Sequence, residues 1–322
     1  MTNSVLKKSN RHNAVQSQRR SSPRARRLAG NERPLWMGRP SPAVQTLKAV
    51  VLTVACVLVI MPFVAVISTS LSDEETVRQA GGFVLWTTEP TFAAYQQIFS
   101  GGVVTRSVLV STGVTVVGTL ISIVTTVALA YGLARPKTLG AKPLLMTVLF
   151  TLLFAPGLIP SYLMVKELGL IDSYWALILP VCVNAFNVIV VRSFFMDIPQ
   201  ELIDSARIDG ATEFTILNRI ILPLSRAVIA VVALFYAVGY WNAFFNAVLY
   251  LNDNAKWPLQ LVLRTFVVQG QTYQQSLDGS IPPPQAALQM AILVVSIVPI
   301  LIVYPFLQKH FAKGMLTGAV KG

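Results

Sequence analysis

Apolar residues gather into six long runs, at about residues 47–70, 106–134, 144–165, 174–196, 224–250 and 286–308. A hydrocarbon core about 30 Å thick is crossed by roughly 20 apolar residues in a helix, so each run is long enough to span it. The pattern predicts an all-α polytopic membrane protein with six transmembrane helices. An even number of crossings puts both termini on one side. With N- and C-termini cytoplasmic, Arg135, Lys137, Lys142, Arg207, Arg219, Arg226, Lys309, Lys313 and Lys321 lie inside. Asp73, Glu74, Glu75, Glu89, Glu167, Asp172, Asp253 and Asp278 lie outside. The excess of Lys and Arg inside is the asymmetry that sets orientation in membranes.

Between the fourth and fifth runs lies the longest acid-containing segment of the inner side, a loop over about 197–223. Ile203, Ala206, Gly210, Phe214, Leu217 and Ile221 recur at steps of three and four, which puts them on one helical face with a small centre and bulky ends. Asp204, Arg207, Asp209 and Glu213 lie off that stripe. Gly tolerates positive φ and Asp bonds its own backbone, so Asp209-Gly210 predicts a short helix, a kink at Gly210 and a second helix from about Thr212. A small, kinked, amphipathic knob suits a socket on a partner protein. An elbow helix lying among lipid headgroups has the same pattern, and pattern alone does not separate the two.

Inside the runs, Pro62, Pro156, Pro160, Pro180, Pro299 and Pro305 each remove an intrahelical hydrogen bond. Gly113 and Gly118, with Thr112, Thr115 and Thr119, offer small surfaces for close helix packing. The fifth run is interrupted by Tyr240, Trp241, Asn242 and Asn246; the two asparagines are four apart, and Asn184 and Asn187 on the fourth run are three apart, so each pair is predicted to share a face. A carboxamide facing lipid would be unsatisfied, so both pairs should point into the bundle. There they can bond neighbouring helices, at typically about 0.6 kcal/mol each. Alternatively, with Tyr240 and Trp241, they line a path for a hydroxyl-rich solute.

Two outer loops, about 72–105 and 251–285, exceed the length of simple turns. Within the second, ordered structure is expected at 256–268 and a Gln-rich tip at 269–281.

Composition agrees with a bilayer protein: of 322 residues 54% are hydrophobic and 12% charged, with a mean hydropathy of +0.61. The formal charge of +12 does not point to nucleic acid, since 11 of the 26 Lys and Arg lie in residues 1–48 and most others flank apolar runs. Residues 1–45, rich in Arg, Ser, Asn and Pro, are expected to be a disordered basic tail on the cytoplasmic side, resting on anionic lipid. Its Arg pairs do not make an export signal, because the following run is long enough to span and ends without a small-residue cleavage site.

Chemistry is sparse. Cys56 and Cys182 sit inside apolar runs, and His12 and His310 have no partner spacing, so neither a disulfide nor a metal site is predicted. No phosphate-binding GxxxxGK[ST] pattern occurs. No cluster of catalytic groups is evident either, so no catalytic residue is assigned. A self-sufficient ion-coupled carrier needs ionisable groups near the bilayer midplane. Here Arg106, Arg192 and Arg226 all sit near run ends.

The register of Ala206, Gly210, Ile220 and Leu222-Pro223 resembles the cytoplasmic EAA loop of importer-type ABC transporter permeases. Asp204-Ser205-Ala206 stands where that family has Glu-Ala-Ala, keeping one carboxylate and two small residues. Residues 198–202 and 208–211, and the basic, Gly-rich C-terminus, resemble the carbohydrate-uptake branch; the resemblance covers most of 46–322. It implies a type I ABC importer-like fold with Glu201, Asp204, Ser205, Ala206, Asp209, Gly210, Ala211, Leu222 and Pro223 forming the loop that docks on an ATPase. Its further implications are a second homologous permease, two cytoplasmic ATPase subunits that hold the ATP and magnesium, and an extracytoplasmic solute-binding protein. No cofactor is expected on this chain, which would reside in a bacterial cell membrane and not be an enzyme by itself. Trp241-Asn242 and Gly81-Gly82-Phe83 resemble features of oligosaccharide importers. An importer of a non-sugar solute and an ion-coupled carrier are the competing readings.

Overall fold

A computed structural model describes residues 41–87, 89–100, 102–135, 138–267 and 285–318. The basic tail before Ser41, the tip at 269–281 and the last four residues lie outside the described residues. All regular structure among those described is helical. The chain divides into two compact units, Met1–Ile60 and Met61–Gly322.

The described part of the first unit is the N-terminal portion of α1 (Pro42–Ser70). Ser41 starts this helix, its hydroxyl accepting the Val44 N–H at 3.4 Å and its carbonyl the Gln45 N–H at 3.2 Å. Pro42 takes the first helical position, where its missing N–H has no partner to lose. The helix therefore starts a few residues earlier than hydropathy places it. Leu47, Leu52 and Leu58 are exposed, and a helix apolar all round is stable only in lipid or against another apolar surface.

The second unit continues with α2 (Glu74–Gln79), α3 (Ala93–Ser100), α4 (Val103–Ala134), α5 (Ala141–Leu153) and α6 (Leu158–Glu167). Next come α7 (Trp175–Ile178) with a 3-10 turn at Leu179–Val181, α8 (Ala185–Met196), α9 (Gln200–Ile208) and α10 (Glu213–Ile216) with a π turn at Leu217–Ile221. Then follow α11 (Leu222–Leu224), α12 (Arg226–Trp241), α13 (Phe244–Tyr250), α14 (Leu259–Val267) and α15 (Gln285–Gly318). Three helices among the described residues are long and apolar enough to cross a membrane, namely α1, α4 and the Gln285–Pro305 part of α15. Two bent pairs, Trp175–Val181 with Ala185–Met196 at 51° and Glu213–Leu224 with Arg226–Trp241 at 84°, raise that to as many as five.

The third apolar run is not one helix. Its chain breaks at 154–157 between α5 and α6, where Pro156 has no N–H to continue the ladder and Gly157 adopts φ 80°. The fifth run is likewise divided, between α12 and α13.

The long helix α4 lies at the centre of the packing and contacts α5, α7, α8, α12 and α14. Val114, Ala130, Leu177, Val191, Ile216, Ile221 and Val232 belong to one buried cluster, and Ile98, Val104, Leu259 and Ile292 to a second. In lipid, apolar burial between helices supplies little driving force, so close fit and interhelical hydrogen bonds carry more of the weight. The α14 segment, where ordered structure is expected, is tied in this way: the Leu259 N–H donates to Ser111 Oγ at 2.8 Å.

Toward the predicted outer side a polar clasp joins the α6–α7 connection to the segment after α13. Asp172, at φ 60°, accepts the Asn252 and Asp253 N–H groups at 3.2 and 3.0 Å through Oδ1. Lys256 Nζ donates at 2.8 Å to both Asp172 Oδ2 and the Asp172 carbonyl. The Lys256 ammonium, with the two N–H groups, holds the Asp172 carboxyl below the usual range.

Candidate functional site

Two chain breaks face each other beside α4. At residues 182–184 the ends of α7 and α8 separate, and two phenols from α12 occupy the gap. Tyr236 Oη accepts the Asn184 N–H at 2.9 Å and shares a 2.7 Å bond with Thr126 Oγ1. Tyr240 Oη donates to the Ile178 carbonyl at 3.3 Å and shares a 2.8 Å bond with Ser122 Oγ. The pairs match because Tyr236 and Tyr240, like Ser122 and Thr126, are four apart on their helices. Backbone groups freed at membrane depth are tolerated where the protein re-satisfies them, and these hydroxyls do so.

At the second break the backbone turns tightly. Ala243 has φ −70° and ψ 67°, the values of an inverse γ-turn, and Phe244 N–H donates to the Asn242 carbonyl at 2.7 Å. Asn242 Nδ2 bonds the Val238 carbonyl at 2.9 Å and so finishes α12 with its own side chain.

These breaks border a cavity of about 600 Å³ whose lining includes Asn184, Asn187, Tyr236, Tyr240, Asn242 and Asn246. No Asp, Glu, Lys or Arg is among its lining residues. The four asparagines border this one cavity, although neither pair lies along one continuous helix. Asn184 precedes α8 and caps it, Oδ1 accepting the Asn187 N–H at 3.2 Å. Asn242 and Asn246 stand on opposite sides of the second break. The four amides play two different parts. Asn184 and Asn242 terminate helices, whereas the side chains of Asn187 and Asn246 have no hydrogen-bond partner among the described residues. Trp241 is not part of the lining. It is buried, and its indole donates to the Ser296 carbonyl on α15 at 2.9 Å.

In the loop over 197–223, α9 ends at Asp209 in a Schellman turn, with Gly210 at φ 81°. Gly210 N–H donates to the Arg207 carbonyl at 3.0 Å and Ala211 N–H to the Ala206 carbonyl at 2.9 Å. Ala206, Gly210 and Ala211 are thus the residues of the turn itself. Thr212 then caps α10 through its hydroxyl, and Leu222-Pro223 directly follows the π turn within the helical stretch Glu213–Leu224.

The predicted apolar stripe does not form the outer face. Ile203 and Ile221 are buried, and Ala206 and Leu217 pack on the same core, because the Gly210 turn redirects the chain and ends the helical register. Phe214, counted on the stripe, is 74% exposed, and Ile208, off it, is 86% exposed. The free face carries Ile208, Phe214, Glu201, Asp204, Ser205 and Asp209.

A polar network with no counterpart in the sequence pattern anchors this loop to the end of α4. Glu213 Oε2 accepts the Tyr131 hydroxyl at 2.5 Å and lies 3.4 Å from Arg135, while Oε1 pairs with Arg207 at 2.7 Å. Arg135 also donates to the Tyr131 hydroxyl and stacks over its ring at 4.5 Å. The bond to Glu213 raises the Arg207 guanidinium above its ordinary value, so it is charged throughout the working range. Glu213 in the first turn after Thr212 is visible as a helix-start residue, but its partners Tyr131 and Arg135 on the far side of the chain are not.

Residues 127–317, which include the cavity lining and the loop, match the family described as "Binding-protein-dependent transport system inner membrane component". The polygalacturonan/rhamnogalacturonan transport system permease protein YtcP of Bacillus subtilis (strain 168) is 48% identical over 266 residues, 82% of this chain and 93% of that protein. Protein LplC of the same organism is 48% identical over 268 residues, 82% and 90% of the two chains. Among solved structures, a chain in the crystal structure of a bacterial ABC transporter involved in the import of the acidic polysaccharide alginate superposes with a TM-score of 0.78 at 28% identity, covering 86% of this chain and 100% of that one. With more than half of its length matched by the family and relatives this similar across nearly their full lengths, the chain belongs to the inner-membrane permease components of binding-protein-dependent ABC transport systems.

Proposed function

We propose that this chain is the permease subunit of an ATP-driven importer of oligosaccharides, crossing a bacterial cytoplasmic membrane six times with both termini inside. The six crossings are α1, α4, α5 with α6, α7 with α8, α12 with α13, and α15. Its partners are a second permease, two ATPase subunits, one of them docked on the loop over 197–223, and an external solute-binding protein. ATP and magnesium belong to the ATPases.

The observation that carries this reading is the uncharged cavity at the two helix breaks, where amide and aromatic side chains meet. Rings stack on sugar faces and amides pair with hydroxyls, and a cavity of several hundred Å³ is the size that takes small solutes. The relatives named for polygalacturonan/rhamnogalacturonan transport and for alginate import support a sugar polymer fragment as cargo.

Uptake measurements at matched expression test it. Asn246→Ala removes an unpaired lining amide and is expected to reorder preference among oligogalacturonides, arabino-oligosaccharides and disaccharides by severalfold. Asn242→Ala removes the hydrogen bond that closes the C-terminus of α12 and should depress all of them alike, with a lower melting temperature, the cost being about 1 kcal/mol. If cells with the complete wild-type transporter take up no oligosaccharide, the reading is wrong.

Orientation is checked separately with an impermeant thiol reagent added outside intact cells. Ser205→Cys should stay unlabelled and Asn254→Cys should react; labelling at Ser205→Cys would invert the topology.

A further inference from the structure

Resting on the reading that an ATPase subunit docks on the loop over 197–223, we infer that Glu213 is a positioning residue for coupling: it fixes the attitude of the docking knob against α4, and the effect of ATP reaches the cavity through its bonds to Tyr131 and Arg135. Among the described residues, every side-chain hydrogen bond or ion pair that joins α9 and α10 to the rest of the chain runs through this one glutamate. Tyr131 Oη donates to Glu213 Oε2 at 2.5 Å and lies 3.3 Å from the Glu213 carbonyl, so side chain and main chain are held by the same group. Arg135 lies 3.4 Å from the same carboxylate oxygen. Arg207, 2.7 Å from Oε1, belongs to α9 itself. One carboxylate therefore ties α10 both to α9 and to the end of α4.

The surroundings make that tie decisive for orientation. Tyr131, Arg135, Arg207 and Glu213 border a cavity of about 570 Å³ whose lining also includes Gln200 and Asp204, so no packed layer backs the bonds at this edge of the loop. Elsewhere the loop is held by Ile203, Ile216 and Ile221, which are buried. Apolar burial is non-directional, so these contacts keep the loop on the protein without fixing its tilt. Phe214, on the free face, follows Glu213 directly, and a turn of α10 that released the glutamate would swing the phenyl ring with it.

Orientation and stability separate here on magnitude. The Glu213 side chain is 55% exposed and that of Arg135 12%, and an ion pair with one partner largely in water contributes little to folding. What charge-assisted bonds to a guanidinium and a phenol supply is geometric specificity. Arg207 pairs with Glu213 and lies 3.6 Å from Asp204, which braces the loop internally and adds no bond to α4.

The test uses the complete complex in lipid nanodiscs, with Cys56→Ala and Cys182→Ala in this chain and Asn246→Cys as a reporter in the cavity lining. Its readout is the rate at which a maleimide labels the permease, with and without ATP, magnesium and vanadate. With the network intact, nucleotide should alter that rate by roughly fivefold or more, the lower end of coupling between distant sites. Glu213→Gln keeps the shape of the side chain and removes its charge. The nucleotide effect should then fall below about twofold, while the ATPase subunits still co-purify and the melting temperature is unchanged. Tyr131→Phe, which removes a hydroxyl and keeps the ring, should weaken the effect in the same direction. Arg207→Gln, which breaks the brace inside the loop and leaves the bonds to α4, should retain it. A full nucleotide effect in Glu213→Gln, or an equal loss in Arg207→Gln, overturns the inference and leaves the docking reading standing. So does loss of the ATPase subunits or a lower melting temperature in Glu213→Gln, which would make the glutamate a docking or a merely structural contact. A complex with the network intact that holds no ATPase, or shows no nucleotide effect at the reporter, removes the docking reading itself.

Discussion

Gly118→Val is expected to abolish transport and to lower the melting temperature of the complex more than any other single change on α4. A Cβ at Gly118 would lie 2.8 Å from Cε2 and Cζ of Tyr240 and 2.9 Å from Cε1, and the ring cannot swing aside without cost. Its hydroxyl is fixed between Ser122 and the Ile178 carbonyl, and the side chain is buried. Overpacking of this kind costs about 1–3 kcal/mol, and releasing the phenol leaves a freed carbonyl at membrane depth, adding about 1–3 kcal/mol. Gly118→Ala already introduces the clash and should fall between. The internal control is Gly113→Val, five residues earlier on the same helix, where a Cβ would meet nothing within 4 Å. Equal melting temperatures for Gly118→Val and Gly113→Val would remove the close approach as an explanation.

Gly210→Val is the second large effect, with a different physical origin. Nothing lies within 4 Å of a Cβ placed there, but φ is 81°, a region that β-branched residues essentially do not enter. Holding valine in it costs about 1–3 kcal/mol, and the easier outcome is that the Schellman turn opens and α9 and α10 lose their relation. The expected result is at least a tenfold loss of transport, with the ATPase subunits no longer co-purifying and the membrane helices still folded. Gly210→Asn, which tolerates the left-handed region, should keep most of the activity. Failure of both variants alike would point to bulk on the face; normal coupling in Gly210→Val would remove the turn from the mechanism.

How much of this was legible in the sequence depends on the range of the interaction. Hydropathy exposed the apolar runs, because burial in lipid acts on each segment separately, and the Gly210 turn was readable because its chemistry is local. The stripe through Ile203 and Phe214 misled because it extended one helical period across a turn that resets it. Asn242-Ala243 was missed as a break since neither residue is Gly or Pro; the capping habit of Asn was the available signal. Pairings such as Tyr240 with Ser122, 118 residues apart, or Glu213 with Tyr131, 82 apart, leave no local trace. Neither does Gly118, which reads as one small residue among several until the ring against it is seen.

Helix α4 bears bonds at both of its working ends: Ser122 and Thr126 grip the phenols at the cavity, and Tyr131 and Arg135 grip Glu213 in the loop. From Ser122 to Tyr131 is nine residues, about 14 Å of continuous hydrogen-bonded rod at 1.5 Å per residue, with Arg135 just past the end of the helix. A rod of that length transmits thrust and torque with almost no compression. A displacement of the loop that moved this part of α4 as a rigid body would therefore also carry the hydroxyls that hold the phenols at the cavity.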